Sequence, residues 1–281
     1  MPESLFISEL DQIKAIFKQT DTIYLYDTVL ISQHEKVYHE TGQTLLSMFV
    51  GDAPIVVMEA VYNELLLANK SEDGLSERYL AYLAQFQQVI YLSEEHLFEL
   101  LRYKFSKGML PNMVKILKTV FKTRPTLTAK LEGTTFDSNE TLLSIIHNDF
   151  EDGKDFGEYS LLWSAFVIQE IYANINCHFI GADNDLFGLY RSSYVQNNWP
   201  LSKKPIRKAW ISSTETILAA ALLEQADETI VHTYRNSHVA GRKLIYQEYF
   251  NGILSPQYQT KTFTNDKFIE EVKHKHVFIV Y

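Results

Sequence analysis

Apolar positions in the first hundred residues fall into short unbroken runs separated by longer periodic stretches. Leu5, Ile7, Leu10, Ile13 and Phe17 recur at helical spacing, so a helix is expected from Leu5 to Phe17. The run from Thr22 to Ile31 is β-branched and aromatic without polar alternation, which reads as a buried parallel strand. Pro54 opens a second strand through Met58, and a helix to about Ala68 follows it. Another helix is expected over SEDGLSERYLAYLAQF, then a third strand from Gln88 to Leu92. Ser93 has the place of an N-cap for a helix running to Tyr103. Strand and helix in alternation predict an α/β architecture, a parallel sheet with right-handed crossovers and helices on both faces.

The pattern changes at Arg102. Met113, Leu117, Val120 and Phe121 mark one face of a helix, and Lys115, Lys118 and Lys122 share another. Gly133 to Asn139 is polar and irregular, and a helix is expected from Glu140 to His147. The α/β pattern resumes with a helix from Asp155 to Tyr172, whose Asp155 and Glu158 suit a capping box. Cys177 to Tyr190 then reads as a strand, a turn and the start of a helix. Beyond Pro200 come a basic linker, a helix from about Ser213 to Gln225, further helical pieces, and an apolar HVFIVY that suits an edge strand. The expected organisation is a core over 1–200, with a basic helical insertion at about 102–150, and a mostly helical C-terminal extension over 201–281.

Composition narrows the class. Of the 281 residues, 46% are hydrophobic and 13% aromatic, enough to fill a core and too much for general disorder. The single cysteine, Cys177, excludes an internal disulfide and suits a reducing, cytoplasmic setting. No signal-peptide pattern opens the chain, and no apolar run reaches the ~18 residues of a membrane span. The net charge of −9 is unevenly distributed. Arg102, Lys104, Lys107, Lys115, Lys118, Lys122, Arg124 and Lys130 occur with no acidic residue among them, and Lys203, Lys204, Arg207 and Lys208 form a second basic cluster. A chain polarised in this way can hold an anionic partner at one face and repel it elsewhere.

Several carboxylates share one topological place, at the end of a predicted strand or in the helix beside it. Asp27 lies at the first strand, Glu64 in the helix after the second, Asp155 and Glu158 at the opening of a later helix, and Asp183 and Asp185 just after the strand at Cys177. In open parallel sheets the crevice outside the carboxyl ends of the strands is where ligands bind. Acids converging there repel one another unless a cation intervenes, and hard oxygen donors suit Mg²⁺ or Mn²⁺. The histidines never pair with cysteine at metal-ligand spacing, and no phosphate loop or nucleophile elbow occurs.

With these residues in view, the chain resembles the PIN-domain family. YLYDTVLI looks like that family's opening strand ending in Asp, and VYNELLL like its helical Glu followed by Leu. KDFGEYSLLWSA is similar to its third motif, FIGADNDLF to its Asp-rich turn, and VIYLSEEHLFELL to its third strand and following helix. The resemblance covers roughly 20–105 and 150–200. It implies a three-layer, Rossmann-like fold with a central parallel sheet of four to five strands. It also implies a Mg²⁺- or Mn²⁺-dependent endoribonuclease acting on single-stranded RNA and leaving 5′-phosphate and 3′-hydroxyl ends. Asp27, Glu64, Glu158 and Asp183 would be the catalytic set. Asp27, Glu158, Asp183 and Asp185 would hold metal, with Asp155 and Glu158 as alternatives at the third position, of which the GE form of the motif favours Glu158. The basic run from Arg102 to Lys130 would grip the nucleic-acid backbone. Gly181 and Ala182 stand where the family prefers a hydroxyl and a polar residue, and Thr28 and Ser32 are the hydroxyls nearest to hand. An inhibitory protein partner and a homodimer are both compatible with the resemblance and with the extension after 200. The competing readings are a catalytically decayed PIN-like scaffold that binds nucleic acid or protein, and a small-molecule phosphatase.

Overall fold

The structure is a computed structural model that describes residues 5–67, 73–150, 155–182, 184–195, 208–237 and 243–281. Its centre is a six-stranded, all-parallel sheet in the order β1 (Phe6–Ile7), β4 (Val89–Leu92), β3 (Ile55–Met58), β2 (Thr22–Tyr26), β5 (Asn176–Ile180), β6 (Ala209–Ser212). The inner strands β2 and β3 are buried along nearly their whole length, which is why they read as continuous apolar runs without alternation. Progress from β2 to β3 to β4 runs one way across the sheet, and β5 to β6 runs the other way. The order therefore reverses between β2 and β5, the place where such sheets open a crevice.

Right-handed crossovers in opposite directions put helices on opposite faces. One face carries α10 (Phe156–Ile171), which packs on β2, β3 and β5 and against α6 (Glu94–Phe105), α7 (Met109–Val120) and α11 (Asn184–Tyr190). Apolar nearly all round, α10 is buried nearly all round, with Trp163 fully enclosed and its indole N–H directed at Met113 Sδ. On the other face, α2 (Thr28–Thr41) packs on α5 (Leu75–Leu83), and α12 (Thr214–Leu223) on α3 (Leu45–Val50). A buried ion pair ties α2 to α5: Arg78 donates to Glu35 Oε1 at 2.8 Å and to Oε2 at 3.1 Å, and Glu35 is 2% exposed.

Three expectations need correction. Phe6 and Ile7 form the edge strand β1 beside β4, and the first helix, α1, spans only Leu10–Gln19. The apolar run from Thr22 to Ile31 is half strand and half helix: β2 stops at Tyr26 and α2 starts at Thr28, where Leu30 and Ile31 are buried too. A short apolar run looks alike in both states, so periodicity could not divide it. The central sheet has six strands where four to five were expected, β6 beyond residue 200 completing it beside β5.

Nor is the extension mostly helical. Besides α12, α13 (Thr229–Asn236) and α14 (Asn265–Lys273), it forms a second, antiparallel sheet. In that sheet β7 (Leu244–Phe250) pairs with β8 (Ile253–Leu254), β9 (Gln259–Lys261) and β10 (Val277–Ile279). A sequence signal for it was present: Asn251-Gly252, with φ of 50° and 77°, is the two-residue hairpin turn between Phe250 and Ile253. Among the described residues no helix is long and apolar enough to cross a membrane.

Breaking the α2–α5 ion pair leaves a buried carboxylate without its cation. Arg78→Ala is expected to destabilise the protein by about 3 kcal/mol, and Arg78→Met with Glu35→Gln by distinctly less. Urea unfolding midpoints of the single and double variants check this.

Candidate active site

Asp27 sits at the switch point, held by three local constraints. Its backbone N–H donates to Ile180 O at 2.9 Å, locking the end of β2 to the end of β5. Its extended backbone makes it the N-cap of α2, and its Oδ2 accepts from Val29 N–H at 3.3 Å. Only 2% of its surface reaches solvent. Burial pushes its carboxyl from the ordinary 3.8 up to about 8, with Glu158 and then Glu64 adding repulsion and the cap hydrogen bonds opposing it. Asp27, Glu158 and Glu64, three of the acids the sequence singled out, are thus electrostatic neighbours here.

Glu64 projects from α4 (Glu59–Leu67) and accepts a short hydrogen bond from Thr28 Oγ1. Burial raises its carboxyl and that hydrogen bond lowers it. Thr28 is therefore the hydroxyl that engages the acidic group, whereas Ser32 bonds the Tyr79 hydroxyl instead. Glu158 enters from the first turn of α10. The glycine before it has a steric reason: a Cβ at Gly157 would lie 3.1 Å from Glu64 Oε1 and 3.4 Å from Oε2. The Gly-Glu pair thus lets α10 approach Glu64 while presenting its own carboxylate.

Gly181, at the end of β5, has a comparable explanation. A Cβ there would meet Leu186 Cδ2 at 2.3 Å, the Tyr281 hydroxyl at 3.5 Å and Asp27 Cβ at 3.6 Å. A threonine or serine at 181 has no room. Tyr281 is buried and stacks on Phe187 with centroids 4.9 Å apart.

The other expected acids fare differently. Asp155 is exposed, adopts φ 64° at the N-cap of α10, and makes no side-chain cap hydrogen bond, so the expected capping box with Glu158 does not form. Asp155 has a left-handed backbone at the entrance of α10, and of the two acids it is Glu158 whose charge acts on Asp27. Asp185 is exposed in the first turn of α11. Asp183 lies outside the described residues. Among the described residues, no group of three or more His, Cys, Asp or Glu side chains is arranged to hold a metal ion. The donor chemistry still suits one: Asp27 is buried beside two further carboxylates, and that repulsion is relieved only by a proton or a cation.

A second acidic group at the same edge of the sheet escaped the sequence reading. Glu59 directly follows β3 and Glu94 nearly follows β4. Glu59 Oε2 accepts from Glu94 N–H at 3.4 Å, and Glu94 Oε2 lies 3.0 Å from His147 Nε2. The hydrogen bond to Glu94 raises the His147 imidazole. The rule that singled out Asp27, an acid just past a buried strand, applies equally to Glu59 and Glu94.

The basic run from Arg102 to Lys130 is largely paired. Arg102 pairs with Glu99, Lys104 with Glu170 at 2.8 Å, Lys118 with Glu132 at 2.7 Å, and Arg124 and Lys130 with Asp149 at 2.9 and 3.6 Å. Lys122 donates to the Ser192 carbonyl. Lys107 and Lys115 have no such partner among the described residues. Apart from the adjacent Glu99, the pairing acids come from 132, 149 and 170, beyond the run itself. Of the second basic cluster, only Lys208 is described.

Between about pH 4 and pH 8, native Asp27 keeps a proton that the unfolded chain releases. Metal-free stability is therefore expected to fall as pH rises through that window, with a limiting slope of about 1.4 kcal/mol per unit. Asp27→Asn keeps a good N-cap and removes this slope, so in EDTA it should match wild type near pH 4 and exceed it at pH 8 in urea midpoint. Gly157→Ala is expected to displace the Glu64 carboxylate by a few tenths of an ångström. The structure of the variant beside that of wild type checks this.

No family model matches this chain, and no curated protein or solved structure is similar to it.

Proposed function

We propose that this chain is a divalent-metal-dependent nuclease that hydrolyses phosphodiester bonds of single-stranded RNA. The observation that carries the reading is the buried Asp27 at the switch point of a parallel sheet, with Glu158 and Glu64 as its charged neighbours. Asp27 and Glu158 are the residues to hold Mg²⁺ or Mn²⁺, and the expected contributions of Asp183 and Asp185 belong to the same proposal. The bound ion supplies positive charge against the carboxylates and the phosphoryl group, and acidifies an attacking water.

The chain's own residues do the rest. Asp27 would release its proton to solvent on binding a cation, so metal affinity would rise with pH through about 8, where the carboxyl is half-ionised, and level off above it. Glu64, oriented by the Thr28 hydroxyl, is placed to accept a proton from water. Water adds to phosphorus, the bond to the 3′-oxygen breaks as that oxygen takes a proton from solvent, Glu64 releases the proton it accepted, and the products carry 5′-phosphate and 3′-hydroxyl ends. Lys107 and Lys115 remain available for phosphate contacts that position the strand without reading its sequence.

The test is cleavage of end-labelled single-stranded RNA with Mn²⁺. Asp27→Asn, Glu64→Gln and Glu158→Gln are each expected to lower the rate by about 10²-fold or more, as for loss of a catalytic acid–base group. Asp137→Asn should cleave like wild type, since Asp137 is exposed before α9 (Asn139–Asp149) and only accepts from Thr141. RNA bound but not cut by wild type would leave the scaffold reading. Turnover of a small phosphate ester without RNA binding would favour the phosphatase.

A further inference from the structure

Beside the carboxylates, α11 and the π-helical turn after it (Arg191–Val195) face strands β7 and β9 across an open groove of about 490 Å³. That volume is within the ~300–1,000 Å³ of ligand sites. Among the described residues its lining holds two cations, Arg191 and Lys243, and no carboxylate. Neither cation has a carboxylate partner among the described residues. This contrasts with Lys104, Lys118, Arg124 and Lys130, all tied to acids, in a chain of net charge −9. The Lys122 ammonium donates to the carbonyl of Ser192, a groove residue, and so places further positive charge behind the wall.

Aromatic faces accompany the charge. The Arg191 guanidinium lies 5.0 Å from the Tyr258 ring centroid and 5.9 Å from that of Phe187, and Tyr258 is 50% exposed. Cations beside an exposed aromatic face suit a chain of phosphates and bases: the charges take phosphate, and the ring takes a base by stacking. The groove is also close to the acids. Phe187, in its lining, stacks on Tyr281, whose hydroxyl abuts Gly181 next to Asp27.

We propose that this groove binds a phosphate-bearing nucleotide of a single-stranded nucleic acid, adjoining the phosphodiester presented to the carboxylates. The proposal rests on the nuclease reading for its second clause alone. It transfers the main strand grip from the 102–130 run to a wall supplied by the C-terminal sheet.

The test uses the full chain in EDTA and a fluorescein-labelled single-stranded RNA of about ten nucleotides, within the ~4–16 of known single-strand sites. Fluorescence anisotropy is read across a salt series. Lys243→Glu and Arg191→Ala are each expected to weaken binding about tenfold and to reduce the salt slope by about one. Arg191→Lys, which keeps charge but loses the planar stack, should fall between. Lys243 is exposed, so its reversal leaves the fold intact. Wild-type affinity in Lys243→Glu overturns the proposal, as does binding of inorganic phosphate without binding of the RNA. The two readings separate cleanly. Asp27-dependent cleavage with unaltered affinity and KM in the groove variants removes the groove and keeps the nuclease. Groove-dependent binding without cleavage in any divalent metal does the reverse.

Discussion

The structure turns on the cost of placing a carboxylate at the end of a fully buried strand. Between Thr22 and Tyr26, β2 lies in the interior of a parallel sheet with helices on both faces, and it carries no carboxylate, ammonium or guanidinium group. The first charged position past its end is Asp27. There it caps α2, a structural task that fixes it beyond the carboxyl end of the strand. Glu64 and Glu158 arrive from helices that pack on either side, and each added charge makes ionisation of Asp27 harder. The fold supports this repulsion with local devices: the Thr28 hydrogen bond to Glu64 and the glycine at 157 that clears room for it.

The C-terminal part of the chain belongs to this arrangement and is no appendage. Strand β6 closes one side of the main sheet, and Gly181 N–H donates to Ser212 O across that pairing at 3.1 Å. The second sheet carries Tyr281 to the crevice, where backbone hydrogen bonds to Ile245 hold it and Phe187 stacks on its ring. Gly181 is the consequence: the space a side chain would take is filled by Leu186 and Tyr281. The same packing of sheet against α11 creates the groove in which Arg191 and Lys243 stand without acidic partners among the described residues.

Charge distribution gains meaning only once pairs are known. A run of basic residues without acids looks like a binding face in one dimension. In three dimensions Glu132, Asp149 and Glu170 come back to it, and ion pairs tie α6 to α10, α7 to α8 (Pro125–Gly133) and α8 to α9. Conversely, Arg191 and Lys243 are 52 positions apart and carry no sequence signal as a pair; packing alone sets them across one groove.

What the sequence determined by itself was whatever depends on short-range pattern. Buried parallel strands are apolar without alternation, so β3, β4 and β5 and the α/β architecture were legible, as was the Ser93 N-cap of α6. Acids at strand ends followed from the same pattern, which brought Asp27, Glu64 and Glu158 into view. Tertiary structure decided the rest, because those outcomes depend on partners far away in the chain. Phe6–Ile7 became a strand only because β4 offered an edge, and β6 joined the sheet only because β5 did. Asp155 stands exposed at the start of α10, whereas Glu158 in its first turn acts on the charge of Asp27. How strongly Asp27 resists ionisation is likewise set by burial and by its neighbours, since the electrostatic cost of a charge depends on what surrounds it in space.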